Sequence, residues 1–158
     1  MIFFYTDHTD HVIGDKMGVL DILNKKKSID SEIHKLLNQF TEISLKIPMQ
    51  KRKNLFDNEG YYPIVFGYFF GVMDYFKQYN KIDEKETKKI FRTYLAKNFT
   101  NGNMETAKQL NDFVITLTEG DEGIEYMRRG RNTFKTWMEN RFETSSSLNR
   151  LLIEAEEK

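Results

Sequence analysis

Hydrophobic residues along this 158-residue chain recur mostly three or four positions apart, which is the spacing of the buried face of an α-helix. This pattern predicts main helices at residues 15–27, 30–47, 63–79, 83–99, 103–119 and 121–143, and a short tail helix at residues 147–156. The opening Ile2–Tyr5 is instead a short β-prone segment. We therefore expect an all-α single domain of about five to seven helices, either an antiparallel bundle or a compact irregular helical fold, with room for a β-like segment at its N-terminus.

Boundary signals accompany several of these helices. The run Lys25–Lys27 suits the C-terminus of the first helix, where cations are favoured. Asp30 or Ser31 suits the N-cap of the second helix, and Pro48 is expected to end it. Asp83, followed three residues later by Glu86, begins a capping box at the start of helix 83–99. Caps and hydrophobic spacing thus agree, which strengthens the helical prediction.

Residues 61–79 are the most informative segment, because nine aromatic side chains fall within it. A helix that is apolar nearly all round is normally surrounded by others, so this one is predicted to be central. One narrow stripe of it is small or polar, with Gly67, Gly71, Asp74 and Gln78 lying within about 60° of one another. Two helical glycines cost about 1 kcal/mol each, which indicates a close approach. The approach could be helix packing within the chain, a dimer interface, or a ligand in a groove walled by aromatics.

Asp74 needs a partner if it is buried, because an unpaired carboxylate in an apolar setting is costly. Arg131 lies within the apolar stripe of helix 121–143, where a hydrophobic residue is expected. We therefore expect an ion pair between Asp74 and Arg131, or a network that also includes Gln78. Two other interpretations stay open, in which Arg131 anchors a ligand at the groove edge or extends to solvent.

Composition excludes several classes of protein. The chain has 24 basic and 24 acidic residues, so its net charge of zero argues against a general polyanion binder. It has no cysteine, which excludes disulfide frameworks and thiolate chemistry and fits a reducing compartment. The longest apolar run, residues 61–76, is shorter than the roughly 20 residues of a membrane span, and the first residues do not resemble a signal peptide. A soluble, cytoplasmic protein is expected.

Candidate chemistry is sparse. Asp7, His8, Asp10 and His11 form a compact group that could hold a metal ion, although a solvated turn is the simpler interpretation. The sequence contains no phosphate-binding loop, no zinc-protease motif and no nucleophile elbow. We predict no cofactor, no metal and no catalytic residue, and favour a non-enzyme over an enzyme.

The leading functional interpretation is reached by elimination. Small, neutral helical domains without catalytic motifs are often protein-binding or regulatory modules, such as inhibitors, immunity-type proteins or adaptors. The partner would be a protein that the sequence does not identify, and a homodimer is left open. The residues expected to contribute to a contact surface are Tyr61, Tyr62, Tyr75, Tyr79 and Trp137.

Two alternatives accompany this interpretation. The first is a small-molecule-binding protein or enzyme that uses an aromatic groove at helix 63–79, with Asp74, Gln78 and Arg131 as its polar groups. The second is nucleic-acid binding through Arg128 and Arg129. It is the less favoured, because no nucleic-acid-binding motif surrounds these arginines.

Overall fold

The computed structural model describes residues 19–140 and 146–158, and every regular element within these ranges is helical. The helices are α1 (Val19–Lys51), α2 (Tyr62–Asn80), α3 (Glu84–Phe99), α4 (Met104–Leu117), α5 (Asp121–Glu139) and α6 (Ser147–Glu156). Two short 3₁₀ turns, Leu55–Asp57 and Glu59–Tyr61, connect α1 to α2. The all-α prediction is confirmed. The β-like segment and the Asp7–His11 group lie outside the described residues.

The predicted division of α1 into helices 15–27 and 30–47 is wrong, because one helix runs unbroken through Val19–Lys51. Asp30, expected as an N-cap, lies inside it. Ile29 and Ile33 pack on the core and carry the apolar stripe across the predicted break, so tertiary packing overrides the local cap signal. Pro48 does not end the helix either, and its carbonyl oxygen accepts a hydrogen bond from the backbone N–H of Arg52 (2.9 Å).

Helix α2 lies at the centre of the fold and packs against each of the other five α-helices. Pro63 occupies its first turn, where a missing backbone N–H costs nothing. Every residue from Ile64 to Met73 is buried, so this helix needs no polar face over nearly three turns. The predicted central position is confirmed. None of the helices within the described ranges has the apolar length that crossing a membrane requires.

The start of α3 forms only half of the predicted capping box. The Asp83 carboxylate accepts a hydrogen bond from the backbone N–H of Glu86 (2.8 Å), so the N-cap is confirmed. The Glu86 side chain does not complete the box. It contacts Asp30 and Lys26 of α1 instead, and a residue expected to cap its own helix therefore joins two helices.

Candidate functional site

The glycine stripe of α2 packs directly against α5. A Cβ atom added to Gly71 would overlap the backbone carbonyl group of Met127, and one added to Gly67 would lie 3.3 Å from the Cβ atom of Tyr126. The stripe is therefore a helix-packing contact within the chain. The groove and dimer interpretations are wrong at these two glycines, because α5 occupies the space that a ligand or a second copy would need.

Arg131 connects the two helices at the end of this stripe. Its guanidinium donates a hydrogen bond to the side-chain oxygen of Gln78, so only the Arg131–Gln78 part of the predicted network is present. Asp74 makes no direct ion pair with Arg131 in the described part of the chain. Desolvation raises the pKa of Asp74, whereas the positive charges of Lys77 and Arg131 lower it. These four side chains line a shallow surface cavity of about 400 Å³.

Two of the five aromatic residues predicted at a contact surface belong to the core. Tyr75 is only 7% exposed and Trp137 only 3%, and both rings pack against Phe134 with centroids 5.1 and 5.5 Å away. Predicting them on the surface was wrong. Aromatic residues on an amphipathic helix look the same in sequence whether they face a partner or a neighbouring helix.

The other three aromatic residues have structural contacts of their own. The Tyr61 hydroxyl donates a hydrogen bond to the Glu156 carboxylate (2.6 Å), and the Tyr62 hydroxyl donates one to the Phe56 carbonyl oxygen (2.7 Å). Both tyrosines are half-buried. Tyr79 is 42% exposed, the largest exposure of the five, and its ring packs on that of Tyr75 with centroids 4.5 Å apart.

Arg128 and Arg129 are both paired with carboxylates. The guanidinium of Arg128 donates two hydrogen bonds to Glu125, at 2.7 and 2.9 Å, and Arg129 lies 3.3 Å from Glu154. The carboxylates in these pairs neutralise the positive charge that would be needed to bind a phosphate backbone. Over the described ranges no three His, Cys, Asp or Glu side chains are grouped so that they could hold a metal ion.

A cationic face on α3 is absent from the sequence predictions. Its members are Lys85, Lys88, Lys89 and Arg92, which follow the spacing i, i+3, i+4, i+7 and so share one side of the helix. None of them forms an ion pair with a carboxylate of the described residues. The signal was present in the sequence but dispersed, because buried residues such as Ile90 separate the cations.

This face borders an open cavity of about 630 Å³ between α3 and α4, here named the cationic groove. The groove is lined by Lys26, Asp83, Lys85, Glu86, Lys88, Lys89, Arg92, Lys108, Asn111, Asp112 and Ile115. Six of these side chains are cations and three are carboxylates, and Asp112 is already paired with Lys108 (3.3 Å). The groove therefore has a local positive excess that the zero net charge of the chain conceals.

Buried polar atoms without partners lie at the same groove. Asn111 is 4% exposed, and its amide nitrogen donates a hydrogen bond to the Lys88 carbonyl oxygen (3.1 Å). Its Oδ1 atom has no hydrogen-bond donor, and the buried Nε of Arg92 has no acceptor. Since buried polar groups are normally paired, the wall of the groove contains one acceptor and one donor whose hydrogen bonds are unmade, beside its positive charge.

Asp30 of α1 and Glu86 of α3 form a carboxyl pair at the edge of the groove. Their side chains hydrogen-bond to each other, which requires that one of them carry a proton. Burial, together with the hydrogen bond and negative charge of Glu86, raises the pKa of Asp30 to about 6. The hydrogen bond from Asp30 lowers the pKa of Glu86, assisted by Lys26, whose Nζ lies 3.6 Å from Glu86 Oε2.

Comparisons of the chain with models of protein families, with curated proteins and with solved structures found no match. A proposal for the function of this protein therefore rests on the chemistry of its own side chains. Among the described residues, the cationic groove has the clearest chemistry. Fixed positive charge, an unpartnered amide oxygen and an unpartnered guanidinium nitrogen suit it to bind an anionic group that also carries a hydrogen-bond donor.

Proposed function

We propose that this protein is a non-enzymatic helical binding module and that its partner is a protein with an acidic segment, held in the cationic groove. The observation that carries this proposal is the face of Lys85, Lys88, Lys89 and Arg92, four cations without carboxylate partners in the described structure. Cations without a carboxylate partner in their own chain can pair with acidic groups of another molecule. Complementary electrostatic potential then steers association and selects partners.

A polypeptide suits the polar atoms of the groove better than a simple anion does. Once the side chains that cover them move aside, the buried Oδ1 of Asn111 can accept a hydrogen bond from a backbone N–H, and the buried Nε of Arg92 can donate one to a carboxylate. The side chain of Ile115 adds an apolar contact on the α4 wall. These three features match the mixture of backbone amides, acidic side chains and apolar groups that a peptide segment presents.

A nucleic acid suits the groove less well. None of the eleven lining residues, all of which lie in the described ranges, is aromatic. Base stacking on aromatic side chains supplies much of the affinity for single strands, so the groove offers phosphate contacts alone. The proposed setting is the cytoplasm, which agrees with a chain that contains no cysteine.

The test measures binding of a rhodamine-labelled peptide of alternating aspartate and glycine residues by fluorescence anisotropy. Wild-type protein is compared with a variant that carries Lys85→Gln, Lys88→Gln, Lys89→Gln and Arg92→Gln. Four charge contacts of about 0.4 kcal/mol each, three at exposed lysines and one at the half-buried Arg92, correspond to about a fifteenfold loss of affinity in the variant. Wild-type binding is also expected to weaken from low to physiological ionic strength, because exposed charges are screened.

A matched control separates the groove from charge in general. The control variant replaces four exposed cations elsewhere, Lys35, Lys51, Lys53 and Lys135, with glutamine and so has the same net charge. It is expected to bind the peptide as wild type does. Equal affinity of all three proteins, or tighter binding of a uridine RNA oligomer than of the peptide, would overturn the proposal. Sedimentation at the same concentrations shows whether a second copy of the chain occupies the surface instead.

A further inference from the structure

The Asp30–Glu86 pair lies where two cavities meet. One is the cationic groove, and the other is a smaller cavity of about 250 Å³ between α1 and the turn from α2 to α3. Glu86 lines both cavities, whereas Asp30 and Asn80 line only the smaller one. The charge of Glu86 therefore faces a partner in the groove, and Asp30 acts on that charge through the hydrogen bond between the two carboxyl groups.

A proton shared by Asp30 and Glu86 accounts for two buried carboxyl oxygen atoms that otherwise lack hydrogen-bond partners. Oδ1 of Asp30 and Oε1 of Glu86 are buried, and no N–H or O–H group of the described chain donates to either of them. Two ionised carboxylates in contact repel each other, and such pairs are found with one proton between them. With Asp30 protonated, its hydroxyl donates to Glu86, and both side chains gain a partner.

We propose that the proton shared by Asp30 and Glu86 regulates the cationic groove, which binds an acidic segment more tightly when the pair holds its proton than when the proton is lost. This inference rests on the function proposed above. The protonated pair carries one negative charge and the deprotonated pair carries two. The second charge subtracts directly from the positive excess of the groove.

The charges around the Asp30–Glu86 pair determine the pH at which the pair loses its proton. The charged groups that line the same two cavities beside the pair, from α1, the α2–α3 turn and α3, are Lys25, Lys26, Lys81, Asp83, Lys85, Lys88 and Lys89, with Arg92, Lys108 and Asp112 farther along the groove. Lys26 and Lys89 favour ionisation of both carboxyls, whereas burial of Asp30 opposes it and dominates. Since the pKa of Asp30 is raised to about 6, affinity is expected to fall as the pH rises through about 6.

The experiment compares wild type with Asp30→Asn, using the same aspartate–glycine peptide, at about pH 5 and about pH 7.5. The asparagine amide donates a hydrogen bond to Glu86 at every pH and does not titrate. One added negative charge beside the groove weakens wild-type binding by about threefold at the higher pH. Asp30→Asn is expected to keep the tighter affinity at both pH values. Asp57→Asn removes an exposed charge outside both cavities and should retain the wild-type pH dependence.

The possible outcomes distinguish a failure of the proposed regulation from a failure of the proposed function. Peptide binding with the same pH dependence in wild type and Asp30→Asn would overturn the regulation alone. Absence of peptide binding at both pH values would overturn the proposed function and the regulation together. Carbon-13 NMR of the side-chain carboxyls provides a direct measurement, in which Asp30 should titrate near pH 6. Titration of both carboxyls at their ordinary values would refute the shared proton.

Discussion

Gly71 of α2 and Gly130 of α5 each lie against the backbone of the other's helix. A Cβ atom on Gly71 would overlap the carbonyl group of Met127, and a Cβ atom on Gly130 would overlap the carbonyl group of Tyr68. The two glycines thus face opposite ways across one contact, and α2 and α5 form the most extensive helix pair of the fold. Hydrogen atoms in place of methyl groups let the two backbones approach this closely.

We expect Gly71→Ala and Gly130→Ala each to lower the free energy of unfolding by more than about 2 kcal/mol, because a backbone atom cannot move aside as a side chain can. Gly67→Ala should change it by less than about 1 kcal/mol. There the added methyl meets only the side chain of Tyr126 at 3.3 Å, and the better helix propensity of alanine offsets the crowding. Urea denaturation measures all three values.

Gly120→Ala is the control for this series. Its added Cβ would lie 3.9 Å from the Leu117 carbonyl oxygen, which is ordinary contact, so the loss should stay below about 1 kcal/mol. If Gly71→Ala proves as mild as Gly120→Ala, the close contact between α2 and α5 is not a constraint on stability.

Thr41 and Tyr94 form a buried hydroxyl pair between α1 and α3. Thr41 donates a hydrogen bond to the Leu37 carbonyl oxygen (2.7 Å), so the Tyr94 hydroxyl donates to Thr41 Oγ1 (2.6 Å). Thr41→Val leaves the Tyr94 hydroxyl buried without a partner and should cost about 2 kcal/mol of stability. Tyr94→Phe removes the donor itself and should cost about 1 kcal/mol.

Thermal and urea unfolding of the two single variants and the double variant Thr41→Val/Tyr94→Phe provide the measurement. The double variant should cost less than the sum of the single losses, since removing both hydroxyls leaves no orphaned donor. A larger loss for Tyr94→Phe than for Thr41→Val would contradict this account of the pair.

Arg52 holds the C-terminal helix α6 to the end of α1. Its guanidinium donates two hydrogen bonds to Glu156 (2.7 and 3.0 Å) and one to Asn149 (2.8 Å). The hydrogen bonds that Glu156 accepts from Arg52 and, second, from the Tyr61 hydroxyl lower the pKa of Glu156 from 4.5 to about 2. Because the folded pKa is depressed, the stabilisation is complete above about pH 4.5 and is lost as the pH falls toward 2.

Glu156→Gln should therefore lower stability by about 1 kcal/mol at neutral pH, a loss kept small because solvent screens the pair. The difference from wild type should shrink toward zero at about pH 2, as measured by urea denaturation across the pH range. Glu157→Gln is the matched control one residue away, exposed and outside the network, and should behave as wild type at every pH. A constant difference between wild type and Glu156→Gln across the acidic range would count against this role of the carboxylate.

Much of the fold was predictable from local pattern, and the errors have a common cause. The burial of α2 and the N-cap at Asp83 follow from residue types within one segment, and both predictions are confirmed. The break near Asp30 and the surface position of Trp137 depend on what faces those residues across the fold. Local sequence carries no information on which residues pack opposite. Both predictions relied on the local pattern alone and were wrong.

The sequence by itself determined that this chain is helical, that an aromatic helix lies at its centre, and that Gly67 and Gly71 mark a close approach. Helical periodicity and the cost of glycine are properties of single segments, which is why they could be read in advance. Only the tertiary structure decided that Gly130 completes the contact from the other side. Only the tertiary structure also shows that Asp30 and Glu86 meet beside the cationic groove, because α1 and α3 lie far apart in the sequence and come into contact only through packing.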